Sequence, residues 1–450
     1  MGVFPEDYEI KVSKLIKLWV AEGFLEPSGS KSYEEQAGEY LKDLVERSLI
    51  LVTKMKSNGK KIKACNIHDL VRDLCIKTAQ EEKFHLNQCR TSTDFIPFLS
   101  PLQRMLSSFK DCKALRVLDA VELTLGKFPD QILELFLLRY LAFSIPDHKW
   151  NFDVPSRILK LENLQTLIIF SKMTTKTGHL KSRVLLPLKI CMMTKLRHLI
   201  LVGAYPLPCP PPGSFPLENL QTLAVVINFK CTESILQMIP KLRKLKVVYN
   251  GYEINWPIYH LDNLVHLHHL ENLNIDVEHH RFAPVPLSGK LAFPMMLRTL
   301  KLRGCCFSSQ DMAIVGSLPN LQVLKLRDCF FEGGKWETIE GEFPQLKFLQ
   351  INSTNLQCWI TESSHFSSLE RLMLFWCLGL REIPDVIGEI PTLVLIAVRR
   401  CEKSLAESAQ RIKEEQESFG NDSLQVRIVD RSAGGETYKV VASASNKVRR

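Results

Sequence analysis

Half of the chain's twelve histidines stand close together, at His260, His266, His268, His269, His279 and His280, and thirteen cysteines are spread along its 450 residues. Imidazoles and thiolates are the usual zinc ligands, but a zinc site needs them at fixed spacing, and no paired C-x-x-C occurs. Leu267 and Leu270 straddle the histidines in the register of a repeat, so no metal is assigned. The phosphate loop G-x-x-x-x-G-K-[ST] is absent, which removes the backbone cradle, the lysine and the hydroxyl that hold a nucleotide and its magnesium. Neither a nucleophile elbow, a zinc-protease motif nor a kinase set is present, and the chain is read as no enzyme. One short motif remains, Ile67-His68-Asp69. Asp69 at the start of a helix complements the helix dipole, and His68 can satisfy the helix end.

The elements that position these residues begin with a repeat. LRTLKLRGC from Leu297 to Cys305 returns as LQVLKLRDC from Leu321 to Cys329, 24 residues later. Self-similarity at this period marks a leucine-rich solenoid, in which L-x-x-L-x-L-x-x-C has a strand at its centre. Twelve openings are read, from Leu115 through Leu138, Leu164, Leu196, Leu220, Leu242, Leu270, Leu297, Leu321, Leu346 and Leu369 to Leu393, at spacings of 22 to 32 residues. Cys305, Cys329, Cys377 and Cys401 close their units where such repeats put Asn or Cys, so these thiols are structural and reduced. Residues between the buried positions face the concave side. There Lys244, Lys246, Lys301, Arg303, Lys325 and Arg327 form a basic strip interrupted by Asn274 and Asp276. Phe348, Arg371, Phe375, Trp376 and Arg399 follow, and clustered aromatics and arginines are typical interface anchors. This surface is expected to bind a protein partner.

The totals allow this and exclude several classes. With 45% hydrophobic and 24% charged residues the chain is neither disordered nor fibrous. Its 58 basic against 49 acidic residues give +9, which favours acidic partners without singling out nucleic acid. The first residues lack the apolar core of a secretory signal, and no run reaches the roughly 18 apolar residues of a membrane span. An intracellular chain is expected.

Residues 1–85 are not repeats. LIKLWVAEGFL has helical spacing with Gly23 as its stop, and Ser32 with Glu35 makes a capping box that opens a second helix. Ser57-Asn58-Gly59 between SLILVTKMK and KKIKACNI predicts a hairpin. A third helix is predicted from His68 to about Ala79, burying Leu70, Val71, Leu74 and Cys75. Helices around a basic hairpin suggest a winged-helix module over 1–85. Residues 86–114 are read as a junction and cap containing a short helix in LQRMLSSF, and 115–402 as about twelve repeats. The polar stretch SKMTTKTGHLKSR and the prolines Pro206, Pro208, Pro210, Pro211 and Pro212 make two long connections. A C-terminal cap over 403–430 has a helix from Ser404 and a strand from Leu424, and 431–450 is read as a loose tail.

FPEDYEI, LIKLWVAEGFL, the capped helix around YLKDLVERSLI and CNIHDLVRDLC, followed by an irregular solenoid, resemble plant intracellular disease-resistance proteins. The likeness is to the nucleotide-binding, leucine-rich-repeat receptors of the coiled-coil class, in the late-blight resistance group. Ile67-His68-Asp69 stands where that family has Met-His-Asp. The resemblance implies an α/β chain: the winged helix that ends the nucleotide-binding switch region, then a horseshoe of repeats. It implies that His68 senses the terminal phosphate of ADP and that Asp69 supports the local fold. It also implies that the chain is the back half of a receptor, truncated at its N-terminus. ADP or ATP is then expected only with an upstream nucleotide-binding domain, and no cofactor for this chain alone. The partners implied are that domain, in the same chain or separate, and a pathogen effector or a guarded host protein. Nucleic acid is not expected. The implied output is a defense response with hypersensitive cell death, in the cytoplasm, at the membrane periphery or in the nucleus. The alternatives are a nucleic-acid-binding winged helix, using Lys54, Lys56, Lys60, Lys61 and Lys63, and a leucine-rich-repeat adaptor or extracellular domain. The sites Asn352-Ser353-Thr354 and Asn421-Asp422-Ser423 are compatible with the last of these.

Overall fold

The computed structural model describes residues 4–25, 31–56, 61–81, 113–146, 151–171, 183–204, 207, 213, 215–250, 256–278, 285–286, 291–429 and 439–440. The hairpin turn at 57–60, the junction through residue 112, most of SKMTTKTGHLKSR, the five prolines, His279, His280 and most of the tail lie outside them. The chain divides into two compact units, residues 1–202 with 211–220, and residues 203–210 with 221–450.

The first unit opens with a short strand β1 (Ile10–Lys11), helices α1 (Val12–Glu22) and α2 (Tyr33–Glu46), a hairpin of β2 (Ile50–Met55) and β3 (Ile62–Ile67), and helix α3 (Asp69–Glu81). α1 stops at Gly23, whose φ of 83° is left-handed and whose N–H donates back to Trp19 and Val20. α2 starts on the predicted box: the Ser32 hydroxyl accepts from the Glu35 N–H, and the Glu35 carboxylate accepts from the Ser32 N–H. β3 pairs antiparallel with both β1 and β2, so the sheet order is β1-β3-β2. Phe4, Ile10, Val12, Leu15, Leu41, Ile50, Cys65 and Ile67 form the core between that sheet and the helices.

Helix α3 corrects the sequence reading. Val71 packs on the core, but Leu70 and Leu74 are 75% and 63% exposed. Arg72 donates to the Phe4 carbonyl at 2.8 Å, and the Leu70–Leu74 stripe faces out.

Repeats follow, as parallel strands β4 (Val117–Thr124), β5 (Tyr140–Ile145), β6 (Thr166–Ser171) and β7 (His198–Ala204). Leu118, Leu141, Leu167 and Leu199 stack in register and are buried, as are Leu138, Leu164 and Leu196 at the preceding turns. Each such leucine stabilises by roughly 1.5–3 kcal/mol, but only while a neighbouring repeat covers it. Side chains lace the turns together: the Asn163 amide donates to the Phe136 carbonyl and the Asn219 amide to the Thr194 carbonyl, both at 2.9 Å.

The second unit continues the same design. Its parallel strands are β8 (Thr222–Ile227), β9 (Lys244–Asn250), β10 (Asn272–Glu278), β11 (Thr299–Arg303), β12 (Val323–Arg327), β13 (Phe348–Asn352), β14 (Arg371–Phe375), β15 (Leu395–Arg399) and β16 (Gln425–Val429). Leu245, Leu273, Leu300, Leu324, Leu349, Leu372, Ile396 and Val426 form one buried column in register. Helix α4 (Glu233–Met238) and helix α5 (Ser309–Gly316) replace short 3-10 turns on the return path, and helix α6 (Lys403–Ser418) closes the stack by burying Leu405, Ala409 and Ile412.

The strand ends explain the cysteines. After each strand from β11 to β15 the chain turns through a left-handed residue, Gly304, Asp328, Ser353, Trp376 or Arg400, whose N–H donates to the last carbonyl of the next strand. In three of these units the closing thiol donates to a carbonyl of the preceding strand, Cys329 to Leu302, Cys377 to Ile351 and Cys401 to Leu374. A thiol suits this place because it donates weakly yet packs as an apolar group. The described histidines of the cluster, His260, His266, His268 and His269, are all exposed on or beside turns. Among the described residues no group of three or more His, Cys, Asp or Glu could hold a metal, and no helix is long and apolar enough to cross a membrane.

Candidate functional site

Strands β5 and β6 read YLAFSI and TLIIFS, apolar on both faces, whereas β10 reads NLNIDVE and alternates. A strand that is apolar on both faces is buried on both. In the first unit the covering element is α1. Ala21 packs into a cluster with Tyr140, Ala142 and Ile168, and Leu18, Val117, Val121 and Ile200 border it. Ala142, Ile168 and Ile200 are register partners on the outward side of β5, β6 and β7. The small Ala142 leaves room for a helix backbone to approach.

Polar contacts fix the docking at three places. Lys14 pairs with Asp119 at 2.5 Å. Arg116 donates to the Glu22 carbonyl at 2.8 Å, a cation at a helix C-terminus where the dipole favours it. At the third place Arg197 clasps Glu34, donating from Nε at 2.8 Å and from Nη2 at 2.5 Å, while His198 Nε2 stands 3.2 Å from the same carboxylate. The Arg197 guanidinium also lies over the Tyr33 ring, 5.1 Å from its centroid. Arg197 and His198 are only 8% and 5% exposed. Burial alone would push the Glu34 carboxyl up. The His198 imidazole beside it and the hydrogen bonds and charge of Arg197 outweigh burial and hold it well below the usual carboxylate range.

Residue types in order do not reveal this docking, although the doubly apolar strands are its signal. The motif Ile67-His68-Asp69 lies at the junction of β3 and α3. Ile67 is in the core, and His68 and Asp69 are exposed. His68 Nδ1 accepts from the Leu70 N–H at 3.3 Å, the helix-end role that residue types alone allow.

On the second unit the expected partner-binding residues lie on the outward face of the strands. Lys246, Asn274, Lys301, Lys325 and Gln350 share one row, and Asp276, Arg303, Arg327, Asn352, Phe375 and Arg399 the next. Lys244 and Arg371 belong to a third row, with Phe348. The strip is less uniformly basic than its lysines suggest. Arg303 bonds Asp328 at 2.9 Å and approaches Asp276 at 3.5 Å, and Arg327 also reaches Asp328. Two aromatics differ from expectation. Phe348 is only 5% exposed, under the Lys325 ammonium at 4.6 Å, so it is no free anchor. Trp376 sits past the end of β14 rather than on it, 40% exposed, with the Arg400 guanidinium 4.9 Å from its ring centre.

Residues 3–75 match the model of the disease resistance protein winged helix domain, and residues 95–381 that of a leucine-rich repeat region. One putative late blight resistance protein homolog of Solanum demissum is 30% identical over 488 residues, covering 96% of this chain and 36% of the relative. A second such homolog from the same species is 31% identical over 476 residues, covering 95% and 35%. The chain therefore spans about a third of the length of these curated relatives. Among solved structures, an internalin of Listeria monocytogenes is 14% identical with a TM-score of 0.40, covering 74% of this chain and 94% of the internalin, a likeness too loose to bear on function.

Proposed function

The chain belongs to the plant disease-resistance proteins that join a winged helix to a leucine-rich-repeat region, and from that premise we propose that it is the regulatory and recognition portion of an intracellular immune receptor. In this reading the winged helix is the last piece of an ADP/ATP switch whose phosphate-binding loop lies on another segment or another protein. The repeats recognise a pathogen effector or a guarded host protein, and the output is a defense response. The chain itself performs no catalysis.

The observation that carries the reading is the docking of α1 and α2 on the first repeats. A winged helix fastened at Glu34 to Arg197 and His198 is held by the solenoid, and a switch that must turn has to break that clasp first. The exposed stripe of Leu70 and Leu74, beside His68, adds to it. Two bare leucines on one helix face suit packing against a nucleotide-binding domain, which would bring a phosphate to the imidazole.

The test is to co-express the chain with the nucleotide-binding segment of one of its longer relatives, then measure co-purification and retained ADP. Co-purification that is lost with Leu70→Asp plus Leu74→Asp, and ADP retention that falls with His68→Ala, are expected. A complex indifferent to all three changes would contradict the assignment.

A further inference from the structure

The first unit displays how strand faces in this protein hold a helix. An apolar row receives the helix body, and cationic side chains beside it take a carboxylate, with an aromatic ring under the guanidinium. The outward face of the second unit carries the same kinds of side chain, apolar positions on β14 and β15 and cations on β11 and β12, with β13 between them. Met373, Phe375, Leu395 and Ala397 lie on β14 and β15 as partly buried apolar positions, flanked in register by Arg371 and Arg399. On β11 and β12, Lys301 lies beside Lys325 and Arg303 beside Arg327.

Spacing then selects the ligand. Neighbouring strands lie roughly 4.8 Å apart, and carboxylates four residues apart on a helix have Cβ atoms about 5–6 Å apart. A helix crossing the strands can thus offer one carboxylate to each cation in a row. Nucleic acid fits less well, because Asp276, Asp328 and Glu278 stand among the cations and would face a continuous polyphosphate. A protein segment can leave those places neutral.

We propose that the outward face of β11 to β15 binds an acidic amphipathic helix of a protein partner, with Lys301, Lys325 and Arg327 on its carboxylates and Met373 and Phe375 on its apolar stripe. This rests on reading the repeats as the recognition portion, and names the chemistry of what they recognise.

The probe is a labelled synthetic peptide of about 20 residues, long enough to form a helix, with glutamates four apart and a leucine stripe. A scrambled peptide of equal composition, and single-stranded DNA and RNA of similar length, serve as comparisons. Binding to the full chain is read by fluorescence anisotropy at two salt concentrations, and melting temperature checks the fold of each variant. The helical peptide is expected to bind at least about tenfold tighter than its scramble, to weaken about tenfold with K301E plus K325E, and to weaken separately with F375A. The milder K301Q plus K325Q pair covers the case in which the double reversal fails to fold. Equal binding of the scramble, indifference to both lysine pairs, or displacement of the peptide by DNA or RNA at lower concentration would each overturn the proposal. Glu34→Arg, which opens the clasp of the first unit, should leave peptide binding unchanged, so failure here is distinct from failure of the regulatory reading.

Discussion

Arg197 holds Glu34 across 163 residues of sequence with two parallel hydrogen bonds, at 2.8 Å and 2.5 Å. That pair joins the second residue of α2 to the residue just before β7, so an element outside the repeats is tied to the repeat stack. Bidentate guanidinium–carboxylate geometry is specific in direction as well as strong. Around it the apolar contact of Ala21 with Tyr140, Ala142 and Ile168 supplies area, and the ion pair supplies register.

Ala142→Arg should undock the winged helix. Ala142 is fully buried under α1, so a guanidinium there has no room, and its register neighbour Asp119 is already paired with Lys14 of that helix. A cost of about 3 kcal/mol or more is expected. Faster hydrogen exchange in α1, with β10 to β15 unchanged, is the readout.

Acid should loosen the same contact. The Glu34 carboxyl is held below its unfolded value, so below that value the unfolded chain binds the extra proton and the folded one resists it. The contribution is therefore fully present above the ordinary carboxylate value, about pH 4.5, and is lost as pH falls toward the depressed folded one. Melting temperature measured from pH 6 down to pH 3 should fall less steeply in Glu34→Gln than in the parent chain.

Glu278 predicts the opposite slope. Burial first, then the neighbouring Asp276, push its carboxyl up to about 7, against the pull of Arg303 and Lys246. Between about pH 4.5 and 7 the folded state binds the extra proton, so this group's contribution falls as pH rises through that window. Glu278→Gln should be more stable than the parent at pH 8 and close to it at pH 4, as read by thermal denaturation of the whole chain.

His68→Ala should change stability little. Its one described hydrogen bond is the 3.3 Å contact to the Leu70 N–H at an exposed helix end, worth about 1 kcal/mol or less. A larger loss in urea denaturation would mean that the imidazole is structural rather than poised for a ligand.

Local chemistry is legible in the sequence wherever neighbours in the chain are neighbours in space. Ser32 and Glu35 are three residues apart and announce a helix start. Leu297 and Leu321 lie one repeat apart and announce parallel strands. The closing cysteines are equally local, since Cys329, Cys377 and Cys401 each meet a carbonyl of the adjacent repeat. The clasp of Glu34 by Arg197 and His198 has no such trace, because nothing in either segment refers to the other. Its one indirect sign is Ala142, with Ile168 and Ile200, where β10 carries Asn274. The error at Leu70 and Leu74 has the same origin: periodicity finds an apolar stripe, but it cannot say whether this chain or another covers it. The second unit's lysines face outward as the repeat predicts, whereas the bonds of Asp328 to Arg303 and Arg327 come only with the turn that presents Asp328 in a left-handed conformation.

The most direct test of the clasp is charge exchange read by hydrogen–deuterium exchange of α1 and α2. Glu34→Arg alone and Arg197→Glu alone should each strip protection from both helices, and the two together should restore most of it. Single variants that keep the parent's protection, or a double variant that stays as exposed as the singles, would contradict a winged helix held on the repeats by this pair.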